Sequence, residues 1–364
     1  FFIFFGISKI MQKIKQIPED FIVREINDTE LNETGQYSYF LLKKKNYNTL
    51  RAVQRIAENL RISEKSIGFA GNKDKNAVTE QVISVKNGNK DIEDLLIKDI
   101  KLEYLGKGNE EIYPGKLRGN DFEITIRNLE KRDIDKIRGK TKNDNIFMPN
   151  YFGEQRFSSS NDAIGREIIK NDFNKAIELI LESNTDYNEK IKVHLEKCKN
   201  DYIGALKLIP VKLLKLYVHA YQSFLFNKTL EIYINSQKQE NNENNNQNEK
   251  NDEDDSENNI YKKNIINVKI PIIGFGTEIE NKEIEGMIEK IMEEEKINYR
   301  DFIIRPFPEL SSEGDERNAF VRVDDFEIEN QGKDELNKDK EKIKVKFSLA
   351  KGCYATVLVD WLFG

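Results

Sequence analysis

The sequence predicts an α+β protein in which strand-rich ends enclose a helical middle. Three observations carry this. Short runs with strand-like alternation dominate residues 21–127, helical spacing dominates 162–230, and strand character returns over 318–349. Strands and helices do not alternate regularly enough for a doubly wound sheet.

Taken in order, residues 21–26 and 36–43 alternate as strands. Residues 48–59 place Leu50, Val53 and Ile56 at helical spacing, with Asn48 or Thr49 as cap. Residues 66–70 lead into a turn at Gly71, and 79–85, 101–106 and 120–127 are further strands. Helices follow at 163–172, 173–183 and 211–230. A strand-like run at 265–273, an amphipathic helix at 283–295 and strands at 318–323 and 342–349 complete the chain. The pattern describes one domain, 11–159 with 306–364, interrupted by another, 160–305. Residues 1–10 precede Met11, a plausible start, and are expected to be disordered or spurious.

Composition narrows the function. Of 364 residues, 34% are charged and 38% hydrophobic, and no apolar run is long enough to span a bilayer. FFIFFGISKI lacks the basic leader and small-residue cleavage site of a signal peptide. Cys198 and Cys353 offer no disulfide framework, and with His194 and His219 they make no zinc pattern. A cytoplasmic location and no bound metal are therefore expected; a monomer is the default expectation. The net charge is −6, but residues 239–259 alone contribute −7, leaving +1 for the remainder. That Asn- and acid-rich tract cannot bury apolar surface, so 238–260 is expected to be a disordered loop. The near-neutral remainder can still carry a basic cleft.

Five segments combine residue types that bear chemistry. GNKDKNAVTEQ, from Gly71 to Gln81, sets Asp74 between Lys73 and Lys75 beside a turn. Nearby cations favour the ionised carboxylate that a nucleophile or base requires, and they can hold a phosphate backbone. A charged surface turn is the competing reading. NYFGEQRF, from Asn150 to Phe157, offers an aromatic to stack a base, an amide to read its edge and Arg156 for phosphate. Here the competing reading buries Tyr151 and Phe152 in a core loop. HAYQSFL, from His219 to Leu225, is a helix–core contact with Gln222 and Ser223 toward solvent. PIIGFGT, from Pro271 to Thr277, lacks the third glycine of a dinucleotide loop, and the Gly68–Asp74 stretch lacks the spacing of a P-loop. No cofactor is implied. FSLAKGCYAT, from Phe347 to Thr356, runs from a strand through Lys351–Gly352 to Tyr354.

With Pro18-Glu19-Asp20-Phe21, Arg118-Gly119-Asn120-Asp121-Phe122 and YQSFLFN, these segments resemble, in order, the TruD family of tRNA pseudouridine synthases. The likeness runs from about Lys15 to Thr356. It implies a pseudouridine synthase catalytic domain with a mixed, largely antiparallel sheet, interrupted by a family-specific α/β insertion. It further implies Asp74 as the catalytic aspartate, supported by Lys15 and Asn150, with Phe152 and Tyr354 lining the base pocket. Lys73, Lys75, Arg118, Arg156 and Lys351 become candidate backbone contacts. The implied substrate is tRNA, at uridine 13, and relatives extend the range to other structured RNA. A non-catalytic RNA-binding or tRNA-folding chaperone on the same scaffold is the alternative.

Overall fold

The alternation in FIVREI becomes strand β1 (Phe21–Ile26), with Phe21 and Val23 buried, in the computed structural model of the chain, which describes residues 12–142, 145–183, 185–245 and 267–363. The remaining strands are β2 (Tyr37–Lys45), β3 (Ile67–Phe69), β4 (Val78–Lys86), β5 (Ile100–Gly108), β6 (Gly119–Leu129), β7 (Ile146–Pro149), β8 (Lys269–Ile272), β9 (Asp315–Asn318), β10 (Phe320–Lys333) and β11 (Glu341–Ala350). The described residues form two compact units. One comprises the chain up to Met148 and from Arg322 onward; the other is Pro149–Val321. The sequence expectation had placed these divisions at 160 and 305.

A nine-stranded sheet, ordered β5-β2-β4-β1-β6-β11-β10-β7 with β3 on β4, organises the first unit. β1 and β4 pair parallel, Ile22 facing Val78. The β1–β6, β6–β11, β10–β11, β2–β4, β2–β5 and β3–β4 ladders are antiparallel. The fold is α+β with a largely antiparallel sheet. Helix α1 (Thr49–Leu60) starts where Asn48 accepts a hydrogen bond from the Arg51 N–H. Its stripe of Ala52, Val53 and Ile56 packs on Phe40, Leu42, Ile83 and Leu102, so one sheet face becomes core. Burying Val53 or Ile56 there is worth about 1.5–3 kcal/mol each. On β6 and β11, Phe122 stacks on Phe347 with ring centroids 5.3 Å apart.

Arg127 of β6 is buried and reaches three carboxylates: Asp20 at 2.8 Å, Asp334 at 2.9 Å and Glu335 at 3.0 Å. Burial would raise Asp334, but the N–H groups of Asn128 and Leu336, Asn337 and Arg127 outweigh it and hold its carboxyl down to about 2. In the unfolded chain it ionises at about 3.9. Its contribution is therefore complete above about pH 4 and is lost as pH falls through about 2. Stability is expected to fall across that window, and less steeply in Asp334→Asn. Urea unfolding at stepped pH reads this; equal slopes in the two proteins would discard it.

Helix α2 (Lys131–Lys140) has no counterpart in the sequence expectation, because only Ile134 and Ile137 are buried in an otherwise polar segment. The second unit contains α3 (Asn161–Ile169), α4 (Phe173–Glu182), α5 (Asn188–Lys197), α6 (Tyr202–Leu206), α7 (Val211–Asn245) and α8 (Lys282–Glu295). β8 and β9 form its two-stranded ladder, so its described residues are chiefly helical. Gly165 lets α3 approach α7 closely, since a Cβ there would lie 1.9 Å from the Tyr217 carbonyl oxygen. Gln222, expected at the surface, is buried instead; its Nε2 donates to the Ile273 carbonyl at 2.6 Å and to Ser312 Oγ at 2.8 Å. Ser223 is likewise buried, donating to the His219 carbonyl. The α7 backbone continues to Asn245, so 238–245 are helical rather than unstructured. Extending an existing helix costs far less than nucleating one, and Gln and Glu tolerate it. Residues 246–260 and 1–10 lie outside the described residues. Among the described residues no helix is long and apolar enough to cross a membrane. Helix α9 (Ala355–Phe363) returns to the first unit.

Candidate active site

Parallel pairing of β1 with β4 brings the segments that enter both strands to one end of the sheet. The segment entering β1 carries Lys15, and that entering β4 carries Asp74. Lys15 Nζ donates to Asp74 Oδ2 at 2.6 Å, across 59 residues of sequence. The same ammonium lies 4.0 Å from the centroid of the Phe21 ring, a cation–π contact. Lys15 adopts φ +71°, a conformation costly for a non-glycine residue. Its neighbours hold it there: Lys13 exchanges main-chain hydrogen bonds with Arg127, and Ile17 N–H donates to Asp20 Oδ2. The Asp74 side chain remains 32% exposed, reachable by a partner molecule.

Beneath Asp74 the loop 71–76 is fixed by buried polar groups. Gln81 Nε2 donates to the Gly71 carbonyl, and Thr49 Oγ1 accepts the Lys73 N–H at 2.9 Å while donating to Gln81. Lys44 Nζ donates to the carbonyls of Tyr47 at 2.5 Å, Asp74 at 3.2 Å and Lys73 at 3.4 Å. Lys73 was expected to face RNA, but its side chain is 6% exposed. Its Nζ donates to Asn120 Oδ1 at 2.7 Å and lies 3.0 Å from Glu25 Oε2. Desolvating an ammonium is affordable only with such partners, so Lys73 is a buried prop of the loop rather than a surface cation.

The other expected cations of this unit are at the surface. Lys75 and Lys351 are exposed, and Arg118 pairs with Asp28 at 2.8 Å in solvent. Lys351 N–H donates to the Arg118 carbonyl at 2.8 Å, so these two share one end of the β6–β11 pair. Gly352 takes φ +82° in the turn after β11, and half-buried Tyr354 leads into α9.

In the second unit, Phe152 and Asn227 of α7 exchange hydrogen bonds: Phe152 N–H to Asn227 Oδ1 at 2.8 Å, and Asn227 Nδ2 to the Phe152 carbonyl at 2.9 Å. The Phe152 ring meets Phe226 edge-on, with centroids 5.4 Å apart. Arg317 places its guanidinium 4.3 Å from the Phe152 ring centroid, and Arg156 lies at 5.5 Å. Arg317 also donates to the main-chain carbonyl and to Oδ1 of Asn150. Asn150 is 5% exposed and donates through Nδ2 to the Asn318 carbonyl at 3.0 Å. Arg156 Nε donates to Ser223 Oγ at 3.2 Å.

Sequence reasoning missed Lys44, Thr49, Gln81, Asn227 and Arg317 as parts of these clusters. Asn227 closes the quoted YQSFLFN segment, Gln81 closes GNKDKNAVTEQ, and Thr49 stood only as a helix cap. Lys44 and Arg317 reach the loop and Asn150 across 29 and 167 residues, a pairing that no local pattern signals. Among the described residues no group of three or more His, Cys, Asp or Glu is arranged for a metal ion.

The family profile of tRNA pseudouridine synthase D (TruD) matches residues 4–193 and 181–360. The chain is 31% identical to the probable tRNA pseudouridine synthase D of Methanosarcina acetivorans, covering 95% of this chain and 91% of the relative. It is 32% identical to tRNA pseudouridine synthase D of Aquifex aeolicus, covering 96% and 98% respectively. A crystal structure of the tRNA pseudouridine synthase D (TruD) candidate from Methanosarcina mazei superimposes with a TM-score of 0.72 at 27% identity. That likeness covers 96% of this chain and 93% of the other.

Proposed function

The chain belongs to the TruD family of tRNA pseudouridine synthases, and from that premise we propose that it isomerises uridine 13 of tRNA with Asp74 as the catalytic group. The observation that carries the reading is the 2.6 Å contact between Lys15 and a partly exposed Asp74 on a loop braced from below.

Isomerisation breaks the bond from C1′ to N1, rotates the uracil and joins C5 to C1′. The carboxylate can begin this in two ways. It can attack C1′ and form an ester, or remove the 2′ proton to give a glycal. In both, N1 departs with the bonding pair. C5 then bonds to the same sugar carbon as the ester C–O bond breaks and returns the carboxylate, or as C2′ of the glycal regains its proton. H5 leaves as a proton and N1 takes one up. Reaching the sugar requires the uridine to leave its stack. Phe152 is proposed to stack on that base, an interaction worth ~1–3 kcal/mol. Asn150 anchors the Arg317 guanidinium beside that ring. Tyr354 is proposed to line the base pocket. Lys75, Arg118, Arg156 and Lys351 are proposed phosphate contacts, each adding to a salt-dependent affinity.

A tRNA transcript labelled with [5-³H]uridine is expected to release tritium, with the modified base mapping to position 13. A transcript carrying cytidine there is expected to release none. Undiminished release from that transcript would reject uridine 13. Tight binding with no release from any tRNA would favour an RNA-binding role instead.

A further inference from the structure

Lys44, in β2, is a lysine only 2% exposed, and its three acceptors are all main-chain carbonyls. Two belong to Lys73 and Asp74. The third, Tyr47, precedes α1, whose first residue Thr49 receives the Lys73 N–H. The Asp74 loop is thus suspended from the β2–α1 connection at two points. Stability alone does not account for a charge in this place. Burying an ammonium costs several kcal/mol, and an apolar side chain of similar volume often serves a core equally well.

We propose that Lys44 is a positioning residue for the isomerisation, holding the main chain of Lys73 and Asp74 so that the carboxylate keeps its bearing when RNA enters. The inference rests on Asp74 being the catalytic group. Displacing a reacting group by about 1 Å can cost about 100-fold in rate, so a rigid tether under the loop has kinetic value. Burial lowers Lys44 to about 8; the Asp74 charge opposes that shift and Lys73 adds to it. Those two are the charged groups facing it from the loop, and from the β2–α1 turn it meets the Tyr47 carbonyl. Deprotonation removes the ammonium charge facing Asp74 and one hydrogen-bond donor.

The test compares full-length wild type, Lys44→Met and Asp74→Asn on the tritium-labelled transcript under single-turnover conditions, with tRNA affinity and urea unfolding measured in parallel. For Lys44→Met the rate constant is expected to fall about 30- to 100-fold. Its tRNA Kd should stay within about twofold, because the phosphate contacts are elsewhere. The wild-type rate is expected to decline with a midpoint near pH 8, a limb absent from Lys44→Met. An inactive Asp74→Asn beside a Lys44→Met of wild-type rate would overturn the role of Lys44 alone. So would losses of binding and stability as large as the loss of rate, since that describes a structural residue. An active Asp74→Asn would instead overturn the reading on which the proposal stands. Should Lys44→Met not unfold cooperatively, Lys44→Gln takes its place under the same criteria: a rate within about threefold of wild type removes the tether, and a loss of rate with binding and stability kept supports it.

Discussion

Asp74→Asn is expected to slow single-turnover pseudouridine formation by at least about 10³-fold, more than about 4 kcal/mol of transition-state stabilisation. The substitution preserves shape, and the amide oxygen can still accept the Lys15 hydrogen bond observed at 2.6 Å. The loop is held by the Lys44, Thr49, Lys73 and Gln81 contacts, none of which uses the Asp74 carboxylate. Fold and tRNA affinity should therefore persist. What disappears is the chemistry, because a neutral amide is a poor nucleophile and a poor base. Tritium release measures the rate, filter binding the affinity and urea unfolding the fold. A rate within tenfold of wild type would falsify the role given to Asp74.

Arg127→Met is expected to have the largest effect on stability. It leaves Asp20 and Asp334, both buried, facing each other's surroundings without their shared cation. Removing one partner from a buried ionic cluster costs about 3–5 kcal/mol, because the stranded charges must be neutralised or rehydrated. Trp361, the single tryptophan, lies in α9 of the same unit, so its emission reports unfolding there. Combining Arg127→Met with Asp20→Asn and Asp334→Asn should recover much of the loss, since the unpaired charge is then gone. Turnover should also drop in the single variant, because Arg127 pins the Lys13–Asp20 segment from which Lys15 projects. A loss below about 1 kcal/mol would mean that the cluster relaxes easily and does not brace the site.

Strands with clean alternation were legible. β1 occupies the residues expected of it, and β2, β4, β6 and β11 differ from expectation by one or two positions at their ends. Their apolar residues are buried at the expected spacing, so period and burial agree. Helix α5 was not legible because Ile191 alone of its ten residues is buried, so no apolar stripe forms, and the five-residue α6 and four-residue β7 are too short to establish a period. α9 was missed for the opposite reason: ATVLVDWLF is apolar on nearly every side and shows no stripe. Within the clusters, Asp74 and Phe152 stood out through their own neighbours in sequence. The direction taken by each lysine did not. Lys73 and Lys75 look alike in GNKDKNAVTEQ, yet one meets Glu25 and Asn120 inside the protein and the other meets solvent. That difference is set by residues about 48 positions away, and Lys44 and Arg317 were hidden for the same reason.

The sheet that carries Asp74 gains β10 and β11 only after the chain has traversed the whole second unit. Contacts that brace the site span 59, 107 and 207 residues. Chain closure over such distances is slow, and synthesis delivers the amino-terminal strands first. A nascent chain on the ribosome is thus expected to hold β6 without its neighbour β11, with one edge unpaired and Arg127 awaiting Asp334 and Glu335. Competence to modify RNA should switch on late and all at once, when the last strands leave the exit tunnel.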